Sequence, residues 1–164
     1  MKTSLKEILQ DAYQRKYAIG AFNCLSLENV LGAIQAAEKL RSPIILQLAE
    51  VQFPYSPIAM MAPIFLEAAR KASVPVAVHL DHGQTFETCA QAIQLGFGSV
   101  MIDGSSYSLE ENIRVTHAVT QMAKAFGVDV EAELGKVGDA SADTADVFTD
   151  VEESAYFVEQ TGID

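Results

Sequence analysis

Three short segments carry the residues that could do chemistry: His79-Leu80-Asp81-His82-Gly83, Met101-Ile102-Asp103-Gly104-Ser105 and Glu131-Ala132-Glu133-Leu134-Gly135. Each sets an acidic group at the end of an apolar run and follows it with glycine. In the first, the neutral imidazole of His82 can bind zinc. The neighbouring carboxylate of Asp81 can exchange a proton with a substrate, since it sits one residue away and need not ligate. Carboxylates gathered inside a protein repel one another and lose hydration, so they need a cation, a shared proton or water. The third histidine, His117, shares a helical face with Arg114 and Gln121 and reads as a solvated surface residue.

The elements that must position these groups alternate in type. Apolar runs at Ala18–Asn23, Pro43–Ala49, Val74–Asp81, Ser99–Asp103 and Val128–Leu134 predict five strands. Helical spacing predicts helices over Ser26–Leu40, Ile58–Lys71, Thr85–Leu95, Ser108–Phe126 and Asp150–Thr161, with Ser26 as an N-cap and Gly96, Gly127 and Gly162 as stops. The polar stretch Gly135–Thr149 predicts a long acidic loop, mobile because it is rich in small polar residues. Strands alternating with helices imply parallel βα units, either a barrel or an open doubly wound sheet. No Gly-x-Gly-x-x-Gly follows the first strand, so dinucleotide binding has no support.

Alternation along the strands sorts their side chains. Val78 and Leu80 oppose His79 and Asp81; Val100 and Ile102 oppose Ser99, Met101 and Asp103; Val130, Ala132 and Leu134 oppose Glu131 and Glu133. Gln47 opposes Leu46 and Leu48, and Asn23 opposes Phe22. A parallel strand buried on both faces is ordinarily apolar on both. Any one of these polar residues could be a satisfied core group or a solvated strand end. Their recurrence in step, at matching carboxyl ends, is where barrel enzymes carry their chemistry, and a bound divalent metal is the economical explanation.

Bulk composition narrows the partners. The 164 residues carry a formal charge of −11 and are 49% hydrophobic. That length suits one domain, residues 1–164, but is short for an eight-fold barrel, which takes about 250 residues. The acidic balance argues against nucleic acid and anionic membrane, both of which reward clustered Lys and Arg. No apolar run approaches a membrane span, and the start lacks the apolar core of a signal peptide. Cys24 and Cys89 have no CxxC spacing and read as two free, buried thiols in a reducing cytoplasm.

In this order and spacing, the three glycine-ended motifs resemble the class II, metal-dependent fructose- and tagatose-bisphosphate aldolases. Ala21-Phe22-Asn23 and Ser42-Pro43-Ile44-Ile45-Leu46 fit too, so the resemblance runs along essentially the whole chain. It implies a (β/α)8 barrel of TIM type, here cut off after about five βα units. It implies reversible aldol cleavage of a ketose bisphosphate to dihydroxyacetone phosphate and an aldehyde. Asp81 would be the catalytic acid/base and His82 a ligand of the catalytic zinc. Asp103 and Glu133 match carboxylates at an alternative or second metal position. Asn23, with Gln47, would contact a phosphorylated sugar. A zinc ion would stabilise the enediolate left by cleavage, in place of a Schiff-base lysine, and no lysine stands at a strand end. A cytoplasmic homo-oligomer is expected of the full-length form.

The chain departs from the pattern in three places. In the family, two further zinc-binding histidines and the phosphate-holding loops come later than Thr161-Gly162-Ile163-Asp164, about where a sixth strand would begin. A serine often found near Ala49 is missing from Gln47-Leu48-Ala49-Glu50. The segment Gly138–Asp146 lacks a Gly-Gly-Glu pattern. The last two favour a tagatose-type or less typical aldolase over the glycolytic enzyme. Three readings follow: an aldolase whose natural chain continues, a truncated inactive homologue, and a non-catalytic half-barrel completed by another chain.

Overall fold

The computed structural model describes residues 1–135 and 149–164. Most of the acidic loop expected over Gly135–Thr149 therefore lies outside the described residues. The order of elements is α1 (Leu5–Arg15), β1 (Gly20–Asn23), α2 (Leu27–Leu40), β2 (Ile44–Ala49), α3 (Ile58–Lys71), β3 (Val76–Gly83), α4 (Phe86–Gln94), β4 (Ser99–Ile102), α5 (Leu109–Ala125), β5 (Asp129–Ala132) and α6 (Val151–Thr161), with a 3-10 turn at Glu50–Gln52 after β2.

The described strands form one parallel sheet in the order β1-β2-β3-β4-β5. A doubly wound sheet reverses direction at a switch point. Here every crossover steps the same way, which is barrel winding. The sheet is five consecutive βα units of a TIM-type barrel, with β1 and β5 as its edges.

The helices begin where the sequence supplies caps. The Ser26, Thr85 and Ser108 side chains accept from backbone N–H groups in the first turns of α2, α4 and α5, and Asp150 does the same for α6. The early helix α1 follows from the charged and apolar residues at helical spacing near the start, and Ser4 and Glu7 form its capping box. Basic residues close α2 and α5, where Lys39 and Lys124 meet the negative helix end.

Two clusters separate the faces of the sheet. Leu46, Leu48, Val76, Val78, Leu80, Val100 and Ile102 are fully buried beneath α2 to α5, with Phe65 and Phe97 in ring contact among them. Each such side chain contributes roughly 1.5–3 kcal/mol of burial. On the opposite face Ile45 and Ala77 pack against Leu5 and Ile8 of α1. Helix α1 therefore covers the amino-terminal end of the concave face. It is anchored by Thr3 N–H donating to the Val76 carbonyl and by Lys6, whose ammonium lies 2.7 Å from Asp164 Oδ1.

Strand β1 departs from the expected pattern. All of its residues are exposed, and Phe22, expected to face the helices, is 53% exposed. The physical reason is its place at the sheet edge, where among the described residues it pairs only with β2. Cys24 and Cys89 are buried and unpaired, as expected. Burial alone pushes the Cys24 thiol up, and burial with the Glu50 charge pushes Cys89 to about 12, so neither is a ready thiolate. No described helix is long and apolar enough to cross a membrane.

Candidate metal centre at the carboxyl rim

Lateral register brings the predicted residues into rows. Asn23, Gln47 and His79 are successive partners across β1, β2 and β3, and His79 pairs on to Ser99 of β4. One step further along, Met101 pairs with Glu131. Gln47, His79 and Glu131 of these rows line a cavity of about 990 Å³ on the concave face, bounded by Leu9 and Tyr13 of α1.

Above that row, the chain leaves regular pairing. The ladder between β3 and β4 shifts register between Leu80 and Gly83. The glycine that ends His79–Gly83 predicts a turn on Gly83 itself. The left-handed residue is instead His82, at φ 45°, a conformation that costs a non-glycine residue about 1–2 kcal/mol. Gly83 is needed for a different reason: a Cβ there would lie 2.7 Å from the Met101 carbonyl oxygen. Glu50 holds the turn in place, accepting from Gln84 N–H at 2.6 Å and from Thr88 Oγ1 at 3.0 Å. Strained backbone supported from outside is characteristic of functional positions.

Two strand ends also differ from expectation. β4 stops at Ile102 and β5 at Ala132, so Asp103 and Glu133 stand one residue past the ladder. The Asp103 N–H bonds back to the Gly83 carbonyl at 2.8 Å. Freed from the pleat, both carboxylates converge on His82. His82 Nδ1 donates to Asp103 Oδ2 at 2.9 Å and lies 3.6 Å from Glu133 Oε2. Ser105 fixes the other Asp103 oxygen, donating from its N–H and its hydroxyl at 3.1 and 2.7 Å.

Asp81 stands beside this trio, with Oδ1 4.0 Å from His82 Nε2. Asn23 Nδ2 donates to Asp81 Oδ2 at 2.8 Å. Gln47 lines the cavity below. The structure thus gathers Asn23, Asp81, His82, Asp103 and Glu133 at one rim, with Gln47 beneath them. His117 stays apart on α5, exposed and bonded to the Gln160 carbonyl.

The electrostatics follow from that gathering. Partial burial pulls the His82 pKa down, but the Asp103 hydrogen bond and the charges of Asp81, Asp103 and Glu133 outweigh it, so the net shift is upward. Burial works against the Asp103 carboxylate, yet its bonds from His82 and Ser105 hold it below its ordinary value. His79 received no site role in the sequence reading, although its place in the polar row was visible. It is buried, with Nδ1 2.9 Å from Ser99 Oγ and Nε2 3.4 Å from Glu131 Oε2. Burial pushes it down to about 4, so it is neutral at pH 7.

The donor set suits a divalent cation. One imidazole nitrogen and two carboxylate oxygens lie within 4.8 Å of one another. Neighbouring ligands on a tetrahedral ion at zinc-like bond lengths would be ~3.3 Å apart, close to the 2.9 and 3.6 Å separations here. Among the described residues, the ion pairs of Asp81, Asp103 and Glu131 are all with histidine rather than Lys or Arg. The rim therefore carries negative charge that a cation would offset.

Comparison with known proteins bears on this architecture. The family model for class-II fructose-bisphosphate aldolase matches residues 3–164. The chain is 43% identical to a probable fructose-bisphosphate aldolase of Bacillus subtilis over 98% of its length and 59% of that protein. It is 41% identical to the 6-phospho-5-dehydro-2-deoxy-D-gluconate aldolase of the same organism, covering 57% of it. Among solved structures, the YdjI aldolase of Escherichia coli K12 superposes with a TM-score of 0.91 at 34% identity, covering all of this chain and 58% of that one. The chain thus spans a little over half the length of these relatives, and its rim motifs and barrel winding agree with the match: it belongs to the class-II fructose-bisphosphate aldolase family.

Proposed function

We propose that the protein is a zinc-dependent aldolase that reversibly cleaves a ketose bisphosphate of the fructose or tagatose type to dihydroxyacetone phosphate and an aldehyde. The observation that carries this reading is the meeting of His82, Asp103 and Glu133 donor atoms within 4.8 Å of one another, beside Asp81. His82, Asp103 and Glu133 would hold the metal. A divalent cation supplies Lewis acidity, which stabilises the negative charge that carbon–carbon cleavage leaves on the ketone half.

The chain's own residues supply the rest. Asp81 takes the proton from the hydroxyl on the carbon whose bond breaks, and returns it in the condensation direction. Its Oδ2 is occupied by Asn23, which leaves Oδ1 on the side of His82 for that exchange. Gln47 and Asn23 offer amide groups to the sugar hydroxyls along the row beneath. The missing serine near Ala49 favours the tagatose-type sugar, and the 6-phospho-5-dehydro-2-deoxy-D-gluconate aldolase relative fits the breadth of phosphorylated ketoses in this reading. A cytoplasmic, homo-oligomeric enzyme completes it.

The test is Asp81→Ala in the native, metal-loaded protein, assayed for cleavage of fructose-1,6- and tagatose-1,6-bisphosphate. The expected loss is about 10²–10⁴-fold in kcat, the usual worth of a positioned acid/base, with bound zinc retained by elemental analysis. An unchanged rate would remove Asp81 from the chemistry.

A further inference from the structure

The β4–β5 ladder makes its last pairing at Ile102 and Ala132. Asp103 and Glu133 stand one step beyond that last pairing. A buried amide touches both segments. Asn112, on α5, is 2% exposed, and its Nδ2 donates to the Glu133 carbonyl oxygen at 2.8 Å. Its Oδ1 accepts from Thr116 Oγ1 at 3.0 Å, and Thr116 is wholly buried. Thr120 Oγ1 in turn donates to the Thr116 carbonyl at 2.9 Å.

Gly104 completes the arrangement. A Cβ at that position would lie 2.6 Å from Asn112 Cγ and 3.3 Å from its Cα. The bare backbone after Asp103 is therefore the slot that admits the Asn112 amide. One side chain touches the segment that carries Asp103 and holds the segment that carries Glu133, and it is itself fixed by a helix. An amide that only satisfied itself in a core would not need a glycine on one side and a strand-end carbonyl on the other.

We infer that Asn112 is a positioning residue: seated against Gly104, it sets the separation of the Asp103 and Glu133 carboxylates around His82, and so tunes cation affinity at the rim. This rests on the metal-centre reading. Groups behind the ligands commonly change metal affinity 10–100-fold when removed.

The test uses the native protein stripped of metal and titrated with Zn²⁺ and with Co²⁺, whose visible d–d bands report ligand geometry. Asn112→Ala and Gly104→Ala should each weaken binding at least tenfold and shift the Co²⁺ bands. The double variant should be no worse than Asn112→Ala alone, because the new methyl occupies the space the amide vacates. In the metal-free protein at fixed pH, the ring ¹⁵N signals of His82 should move in both single variants, because the Asp103 contact is disturbed. Melting temperature is recorded alongside, so a purely structural loss is recognised as a lower melt with unchanged bands, affinity and ring signals, and that result overturns the proposal. If Asn112→Ala does not fold, Gly104→Ala and the volume-conserving Thr116→Val decide, and wild-type values in both overturn it. A wild type that takes up neither ion sinks the metal centre itself; the His82 signals then decide the role of Asn112 separately.

Discussion

The two ends of the concave face are built from the same strands and have opposite chemistry. At the amino-terminal end, Ile45 and Ala77 meet Leu5 and Ile8 of α1, and all four are at most 7% exposed. At the carboxyl end, the His82 side chain is 47% exposed and those of Asp103 and Glu133 are 16% exposed. The strand that reads Ala77, His79, Asp81 passes from apolar to polar along one face within five residues. The lower end is closely packed, and the upper end gathers charged groups. Stability and chemistry are thereby separated along the strand, as barrels generally separate them.

The largest effect that tests this separation belongs to the lower end. Ile45→Ala removes buried methyl and methylene groups under α1 and should cost about 2–5 kcal/mol of unfolding free energy. Urea denaturation measures the cost, and metal titration of the folded variant should match wild type. A variant that lost metal affinity without losing stability would show that the two ends are coupled and break the comparison.

His79 lies between the two ends and gives the next effect. Its folded pKa of about 4 is below the ordinary 6.5, so between those values the unfolded chain binds a proton that the native state does not. Native stability therefore stands in full above pH 6.5, falls as the pH drops from 6.5 to 4, and flattens below. The shift corresponds to about 3 kcal/mol across that window. The raised pKa of His82 acts with the opposite sign and in another range. Its contribution is present below the unfolded value and is lost as the pH rises through the higher folded value. Subtracting a metal-free His79→Gln series from wild type should isolate the acid-side slope. Parallel stability curves would show that the buried ring carries no proton linkage.

Much of this was legible in the sequence, and the reasons differ by residue. The polar row was readable because alternation is a local rule: His79, Asp81, Glu131 and Gln47 follow from the strand pattern alone. Ser26 as a cap was readable because capping is settled within four residues. The position of Asp103 and Glu133 just beyond their strands was not, because where a ladder stops depends on the bulge in the neighbouring β3. The left-handed His82 was hidden for the same reason, since Gly83 next to it is the residue that local rules choose for a turn. Asn112 left no signal at all. An Asn four residues into a helix carries weight only once Gly104 and the Glu133 carbonyl are seen beside it.

The smallest effect is also the one that separates charge from packing at the rim. Glu131 has half its side-chain surface open to the cavity. Even so, the protein around it withdraws enough water, together with the charge of Asp81, to raise its pKa. A carboxyl whose pKa is raised on folding opposes folding at neutral pH, so the isosteric Glu131→Gln should stabilise the metal-free protein. Its amide oxygen can still face His79 Nε2, so little packing or hydrogen bonding is lost. Because the group remains half in water, the gain should stay under about 1 kcal/mol, a rise of roughly 2–4 °C or less in the melt of a chain this size. Saturating Zn²⁺ should shrink that gain, since a cation offsets the same crowd of carboxylates that Gln relieves. If Glu131→Gln instead melts lower without metal, the charge is a structural requirement of the rim, and the division between a packed lower end and a strained upper end fails at this row.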